Sequence, residues 1–176
     1  LRPPAAMDAL LDLLSDRSPR VRAATLRAVA RIDPPTALTA LSSLDADADW
    51  TVRAAQAATL GTLSAAQAAP LLTSMLKDSD QRVVPSVLNA LVAVRAPGAE
   101  AVLIDHLKAE DFVVRGAAAA GLGEWKSTAA VRPLAEAYRA WLSDPPYTAR
   151  AAALGALVKI DPQAARPVLQ DALADR

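Results

Sequence analysis

A two-residue step, Val-Arg, returns along the chain at a nearly constant interval. It stands at Val21-Arg22 and Val52-Arg53, appears as Val83-Val84, and returns as Val114-Arg115 and Ala149-Arg150. The second residues, at 22, 53, 84, 115 and 150, are 31, 31, 31 and 35 residues apart. A period of this size marks stacked supersecondary units, each too small to bury its apolar face alone.

The helical pattern inside each interval is legible. With the second residue of each pair as position zero, position +7 is Val29, Leu60, Leu91, Leu122 and Leu157. Position +10 is Ile32, Leu63, Val94, Trp125 and Ile160. Together with position −1, these large apolar residues fall on one face of a 3.6-period helix, termed helix B. A second apolar helix, A, precedes each of them: MDALLDLL, TALTALSSL, APLLTSML, AEAVLIDHL and VRPLAEAYRAWL, with ARPVLQDAL beginning a sixth unit. Apolar residues make up 53% of the chain and aromatics only 3%, so Ala, Leu and Val must build the core. Ala and Leu favour helix, which makes the expected fold all-α.

Between A and B lies an acidic turn, as in DADADW at 45–50 and DSDQ at 78–81. Asp and Ser there suit the orphan amides and positive end of a helix start. Pro34-Pro35, Pro97-Gly98 and Pro162 interrupt the links from B to the next A. Pro70, Pro133 and Pro167 are expected near the starts of A helices. The 35-residue interval is read as a lengthened helix A between Pro133 and Leu142, with Tyr138 and Trp141 on it. At least one of these two rings is expected to project. The expected repeats are 5–32, 35–63, 66–94, 97–125, 128–160 and a partial 163–176, forming one domain over 1–176. The last residues, Ala172 to Arg176, match Leu13 to Arg17, and neither end shows a polar cap, which suggests a piece of a longer array.

The order of helix A, D-x-D-x-x-V-R and helix B ending in A-L-G or A-L resembles the HEAT-like repeats of the phycobilisome-lyase type over essentially the whole chain. This resemblance implies a right-handed α-solenoid, an α–α superhelix of about 31-residue helical hairpins. It further implies a structural ladder in which Arg22, Arg53, Arg115 and Arg150 face Asp47, Asp49, Asp78, Asp80, Asp111 or Asp144. Val84 departs from that pattern. The middle repeats, DADWTVRAA and the stretch from MLKDSDQ to GLGEWK, also resemble HEAT arrays of bacterial proteins that carry a cyclophilin-type peptidyl-prolyl isomerase domain.

By the same family inference, helix B lines the concave face of the array. Positions +1, +5 and +8 then point away from the core, which nominates Arg27, Asn89, Val92, Gly116, Ala120 and Gly155 for partner contact, beside Tyr138 and Trp141. That row is small and nearly uncharged. It suits an apolar helix or an extended peptide, and equally suits close backbone approach between helices. Trp50, Phe112 and Tyr147 share position −3, where packing over the turn is the commoner explanation.

No catalytic, cofactor-binding or metal-ligating residues are expected. His106 is the only histidine and there is no cysteine, so a multi-ligand metal site has no donors. No hydroxyl is paired with a histidine base by any motif. With 19 basic and 19 acidic residues there is no broad basic face for nucleic acid. No apolar run is long enough for membrane insertion. The expected function is non-enzymatic: a scaffold that binds a protein, a peptide or a neighbouring domain on its helix-B face. The alternative is an accessory array positioning the catalytic domain of a peptidyl-prolyl isomerase. A phycobilin lyase or a HEAT-like DNA glycosylase fits less well, since the sequence marks neither a bilin pocket nor a basic, aromatic concave face.

Overall fold

A computed structural model of the chain describes residues 4–43, 45–142 and 147–174. Among these there are eleven α-helices and no strand. In chain order they are α1 (Pro4–Asp12), α2 (Pro19–Ile32), α3 (Pro34–Ser43), α4 (Trp50–Leu60), α5 (Ala65–Met75), α6 (Val84–Ala93), α7 (Ala99–His106), α8 (Phe112–Glu124), α9 (Val131–Ala140), α10 (Thr148–Ile160) and α11 (Pro162–Ala174). Odd-numbered helices are the A helices and even-numbered ones the B helices. Short 3-10 turns at Leu13–Ser15 and Thr128–Ala130 follow α1 and precede α9.

The chain divides into two compact units, Leu1–Ala96 and Pro97–Arg176. In the first, α4 packs between α2 and α6, and α3 and α5 flank them. In the second, α8 and α10 form the most intimate pair, flanked by α7, α9 and α11. Within the units α1 and α2, α2 and α3, α5 and α6, α7 and α8, and α9 and α10 lie against each other, so each unit is a stack of helical hairpins.

Position +7 supplies the centre of both units: Val29, Leu60, Leu91, Leu122 and Leu157 are all fully buried. Position +10 is only half-buried, Trp125 included, because it lies in the last turn of helix B or beyond it, where the chain leaves the seam. The core reading of that row is corrected accordingly. Alanine fills much of what remains. Ala57, Ala68, Ala118, Ala119, Ala149 and Ala153 are completely buried, as the low aromatic content requires.

Helix boundaries follow local chemistry. Asp49 caps α4 by accepting the Thr51 amide at 2.8 Å. Asp111 caps α8 through the amides of Val113 and Val114 at 2.7 and 3.1 Å. Pro34 and Pro162 open α3 and α11, where a missing N–H costs nothing. Pro70 and Pro167 lie inside α5 and α11 rather than near their starts, because those helices begin earlier than the proline positions imply. α6 and α8 end alike. Arg95 and Lys126 both take φ 51°, and the next amides, of Ala96 and Ser127, reach back to Leu91 and Leu122 at 3.0 and 3.1 Å. This is the Schellman closure, built without its usual glycine.

The 35-residue interval extends the C-terminal end of a helix A. α5 and α7 end three residues after Leu72 and Leu103, at Met75 and His106, whereas α9 runs six residues past Leu134, to Ala140. Its total of ten residues is no larger, because its N-terminal part is replaced by the 3-10 turn Thr128–Ala130.

Candidate interaction surface

Except before Val84, each turn between A and B is contacted by one position-zero arginine. Arg22 donates through Nε and Nη2 to both carboxylate oxygens of Asp47, at 2.6 and 2.7 Å. Its Nη1 donates to the carbonyl of Asp16 at 2.8 Å. Arg53 repeats this one hairpin later: both Asp78 oxygens at 2.7 and 2.9 Å, and the Asp47 carbonyl at 2.6 Å. Asp47 is therefore shared, its side chain taken by Arg22 and its backbone by Arg53. Arg115 binds the carbonyls of its own turn, Ala109 and Glu110, both at 2.8 Å. Arg150 reaches the Leu142 carbonyl at 3.3 Å. Asp144 lies outside the described residues.

The two aspartates of D-x-D divide the work. The first accepts both the neighbouring guanidinium and the amide two residues on: Asp49 N to Asp47 at 2.9 Å, and Asp80 N to Asp78 at 2.8 Å. The second serves the next helix start. Asp49 and Asp111 are caps, and Asp80 pairs with Arg82 at 2.6 Å. The ladder role expected of Asp49, Asp80 and Asp111 thus belongs to Asp47 and Asp78. Arg82 also lies over the Trp50 ring, 4.4 Å from its centroid, tying a position −3 aromatic to the next hairpin. Phe112 and Tyr147, at the same position, stay exposed.

Electrostatics follow this geometry. Hydrogen bonds from Arg22 and Arg53 hold the Asp47 and Asp78 carboxyls below the ordinary aspartate value. The Arg82 hydrogen bond lowers Asp80 to about 2. A carboxylate with a depressed folded pKa stabilises the fold above its unfolded value, near 3.9, and that contribution is lost as pH falls through the folded value. The chain is expected to lose thermal stability as pH falls below about 4, and Asp78→Asn, less stable than wild type at neutral pH, should lose less over the same range, because it has no carboxylate to protonate. Melting curves at neutral and acid pH check this.

Arg53 and Asp78 are largely buried together, with 12% and 8% of their side-chain surface exposed. Removing one partner of such a pair leaves the other charge uncompensated. Arg53→Glu should therefore lower Tm clearly more than Arg31→Glu, since Arg31 is exposed on the last turn of α2. Equal melting temperatures would refute the linkage.

The helix-B row separates into two kinds of position. Position +5 is exposed throughout: Arg27, Ala58 and Asn89 in the first unit, Ala120 and Gly155 in the second. At position +8, Gly61 and Gly123 turn instead toward the next helix B. A Cβ on Gly61 would meet the Ala90 Cβ at 3.0 Å, and one on Gly123 would meet the Ala156 Cα at 2.8 Å. Val92, at the same position, is buried and is not a surface residue. Gly116 is half-buried, and a Cβ on it would lie 3.7 Å from the Ala149 Cα, in ordinary contact. A Cβ on Gly155 would meet nothing within 4 Å outside its own helix backbone.

Tyr138 and Trp141 do not project; they are 3% and 6% exposed. Each ring lies under a ladder arginine, Trp141 5.3 Å from Arg115 and Tyr138 5.2 Å from Arg150. With α9 ending at Ala140, both face the turn and cover its guanidiniums. Trp141 also lines a groove of about 310 Å³ with Ile104, Leu107, Pro133 and Ala137, with Lys108 and Glu136 on it too. The sequence reading passed over this groove, because its walls come from two A helices about 30 residues apart. His106 is half-buried, its Nδ1 2.7 Å from the Val102 carbonyl. Among the described residues no three His, Cys, Asp or Glu side chains gather as metal ligands, and no helix is long and apolar enough to cross a membrane.

Tandem helical hairpins joined by an Arg–Asp ladder define an α-helical repeat protein. The family model described as HEAT repeats matches residues 1–58, 40–123 and 100–176, and the chain belongs to the HEAT-repeat family. A comparison with curated proteins found no match. HEAT arrays are generally non-catalytic and commonly mediate protein–protein interaction.

Proposed function

We propose that this chain is a non-enzymatic scaffold that binds a protein or peptide on the exposed ridge of its B helices, centred in the second unit on Ala120 and Gly155. The carrying observation is Gly155. A glycine inside a helix costs about 1 kcal/mol against alanine. Gly61 and Gly123 are explained by close approach to a neighbouring helix, but at Gly155 the space for a Cβ is open. A partner backbone lying along the ridge supplies the reason that packing does not. The mostly small side chains of this row let a helix or extended strand approach closely, and apolar contact then drives association.

Two substitutions test this. Gly155→Ala should raise stability by up to about 1 kcal/mol, since it gains helix propensity and meets no atom. Gly155→Glu should keep the fold and abolish capture of the partner that wild-type protein retains from a lysate of the source organism. Capture unchanged by Gly155→Glu would remove the ridge from the binding surface.

A further inference from the structure

We propose that the first unit's part of the B-helix ridge holds an acidic peptide segment of a partner protein, through Arg20, Arg27 and Arg31 on α2. The proposal deepens the ridge reading above and rests on it only for the choice of surface; its own ground is charge.

The three arginines stand in one line. They occupy positions −2, +5 and +9, which fall within about 40° of each other around a 3.6-residue helix. At 1.5 Å per residue the line is about 16 Å long. All three residues are exposed. Among the described residues none of them enters an ion pair, whereas Arg22, Arg53 and Arg82 each hold an aspartate. The acids of this unit are placed elsewhere. α2, α4 and α6 contain no Asp or Glu. The unit's aspartates lie on α1, in the turns between A and B or, as Asp33, just past the end of α2.

The line is not open for want of a neighbouring hairpin. α4 packs between α2 and α6, and its residues at the same three positions, Thr51, Ala58 and Thr62, are exposed all the same. B helices meet through other positions: Gly61, at +8, faces Ala90, at +6. A further hairpin ahead of α1 would in the same way cover the +6 side of α2, at Ala28, and leave the three arginines in solvent.

Charge defines the ligand. Guanidiniums take carboxylates through two parallel hydrogen bonds, as Arg22 takes Asp47. Beside the line, the exposed residues of α4 are small and uncharged, so a peptide can lie flat against it. A nucleic acid would require a broad basic face. Here the unpaired charge is confined to one row, and Arg82 on the far side of α4 is already held by Asp80. The row fits a peptide whose carboxylates recur at short intervals.

The test uses a fluorescein-labelled peptide of alternating Glu and Ala, titrated with the full chain. Its anisotropy should rise saturably at low salt, and binding should weaken as salt rises. Arg27→Glu, in the middle of the line, should weaken binding about tenfold or more, and Arg27→Gln by less. Arg166→Glu, an equal change of charge at an exposed position on α11, should leave binding unchanged. Circular dichroism confirms that the variants are folded. Absence of saturable binding, or binding that Arg27→Glu weakens no more than Arg166→Glu does, overturns the proposal. So does tighter binding of a labelled oligothymidylate of the same length, which would assign the row to nucleic acid. Wild-type self-association in sedimentation velocity that Arg27→Glu abolishes overturns it too, by assigning the row to a second copy. Gly155→Glu remains the separate test of the ridge in the second unit, so the two readings fail independently.

Discussion

Leu122→Ala is expected to cost about 2–5 kcal/mol, a large share of the about 5–15 kcal/mol that holds a typical domain together. The Leu122 side chain is completely buried, and its helix α8 packs against α7 and α10. Truncation removes its transfer energy and leaves a cavity that helices anchored at both ends close only in part. Repeat hairpins contact mainly their neighbours, so the loss should be uneven along the chain. Hydrogen exchange in the variant should quicken in α7–α10, while α2 and α4 retain most of their protection. Leu91→Ala, at the same position one repeat earlier, should give a loss of the same size in the first unit. A Tm within about one degree of wild type for either variant would show that position +7 is not the centre of the core.

Gly123→Val is expected to destabilise by about 3 kcal/mol, although valine is the better helix former of the two. The obstacle is backbone. A Cβ at residue 123 would sit 2.8 Å from both the Cα and the Cβ of Ala156, and neither can swing aside as a flexible side chain would. Relief requires α8 and α10 to move apart, loosening the alanine seam between them. The contrast with Gly155→Ala isolates the cause. Both sites are glycines within B helices, yet one substitution should raise Tm and the other lower it. If Gly123→Val melts with wild type, the two helices do not approach as closely as described.

These contrasts also show what can be read from the bare sequence. The helix count, the alternation of A and B and the buried +7 row follow from periodicity, because one face of a 3.6-residue helix has to be apolar wherever hairpins stack. The surface row was harder. Position +8 lies near the boundary between the ridge and the seam, and angular bookkeeping on a single helix does not reveal which neighbour it meets. Gly61 and Gly123 at that position were the available sign of close approach, and Val92 at the same position is buried. Tyr138 and Trp141 were misplaced because helical spacing alone does not reveal that the Arg150 and Arg115 guanidiniums lie over their rings. Arg95 and Lys126 left no trace at all: with a basic residue in the left-handed position, the Schellman ends carry no glycine to announce them. The acidic turns were legible as turns, but the separate duties of their two aspartates depend on which carboxylate a guanidinium from the previous hairpin can span.

The spacing of that link has a consequence for how such a chain can change over generations. Arg22 and Asp47, like Arg53 and Asp78, are 25 residues apart, within a period of 31. A copied segment of one full period that includes Arg22 or Arg53 together with Asp47 or Asp78 therefore carries both a donor for the hairpin after it and an acceptor for the hairpin before it. An in-frame duplication of such a segment creates a junction that is already matched on both sides, and a deletion of it heals in the same way. The array can grow or shrink without a compensating mutation. A single substitution at position zero, such as the valine at 84, removes that position's guanidinium from the ladder and leaves the spacing of every other link intact.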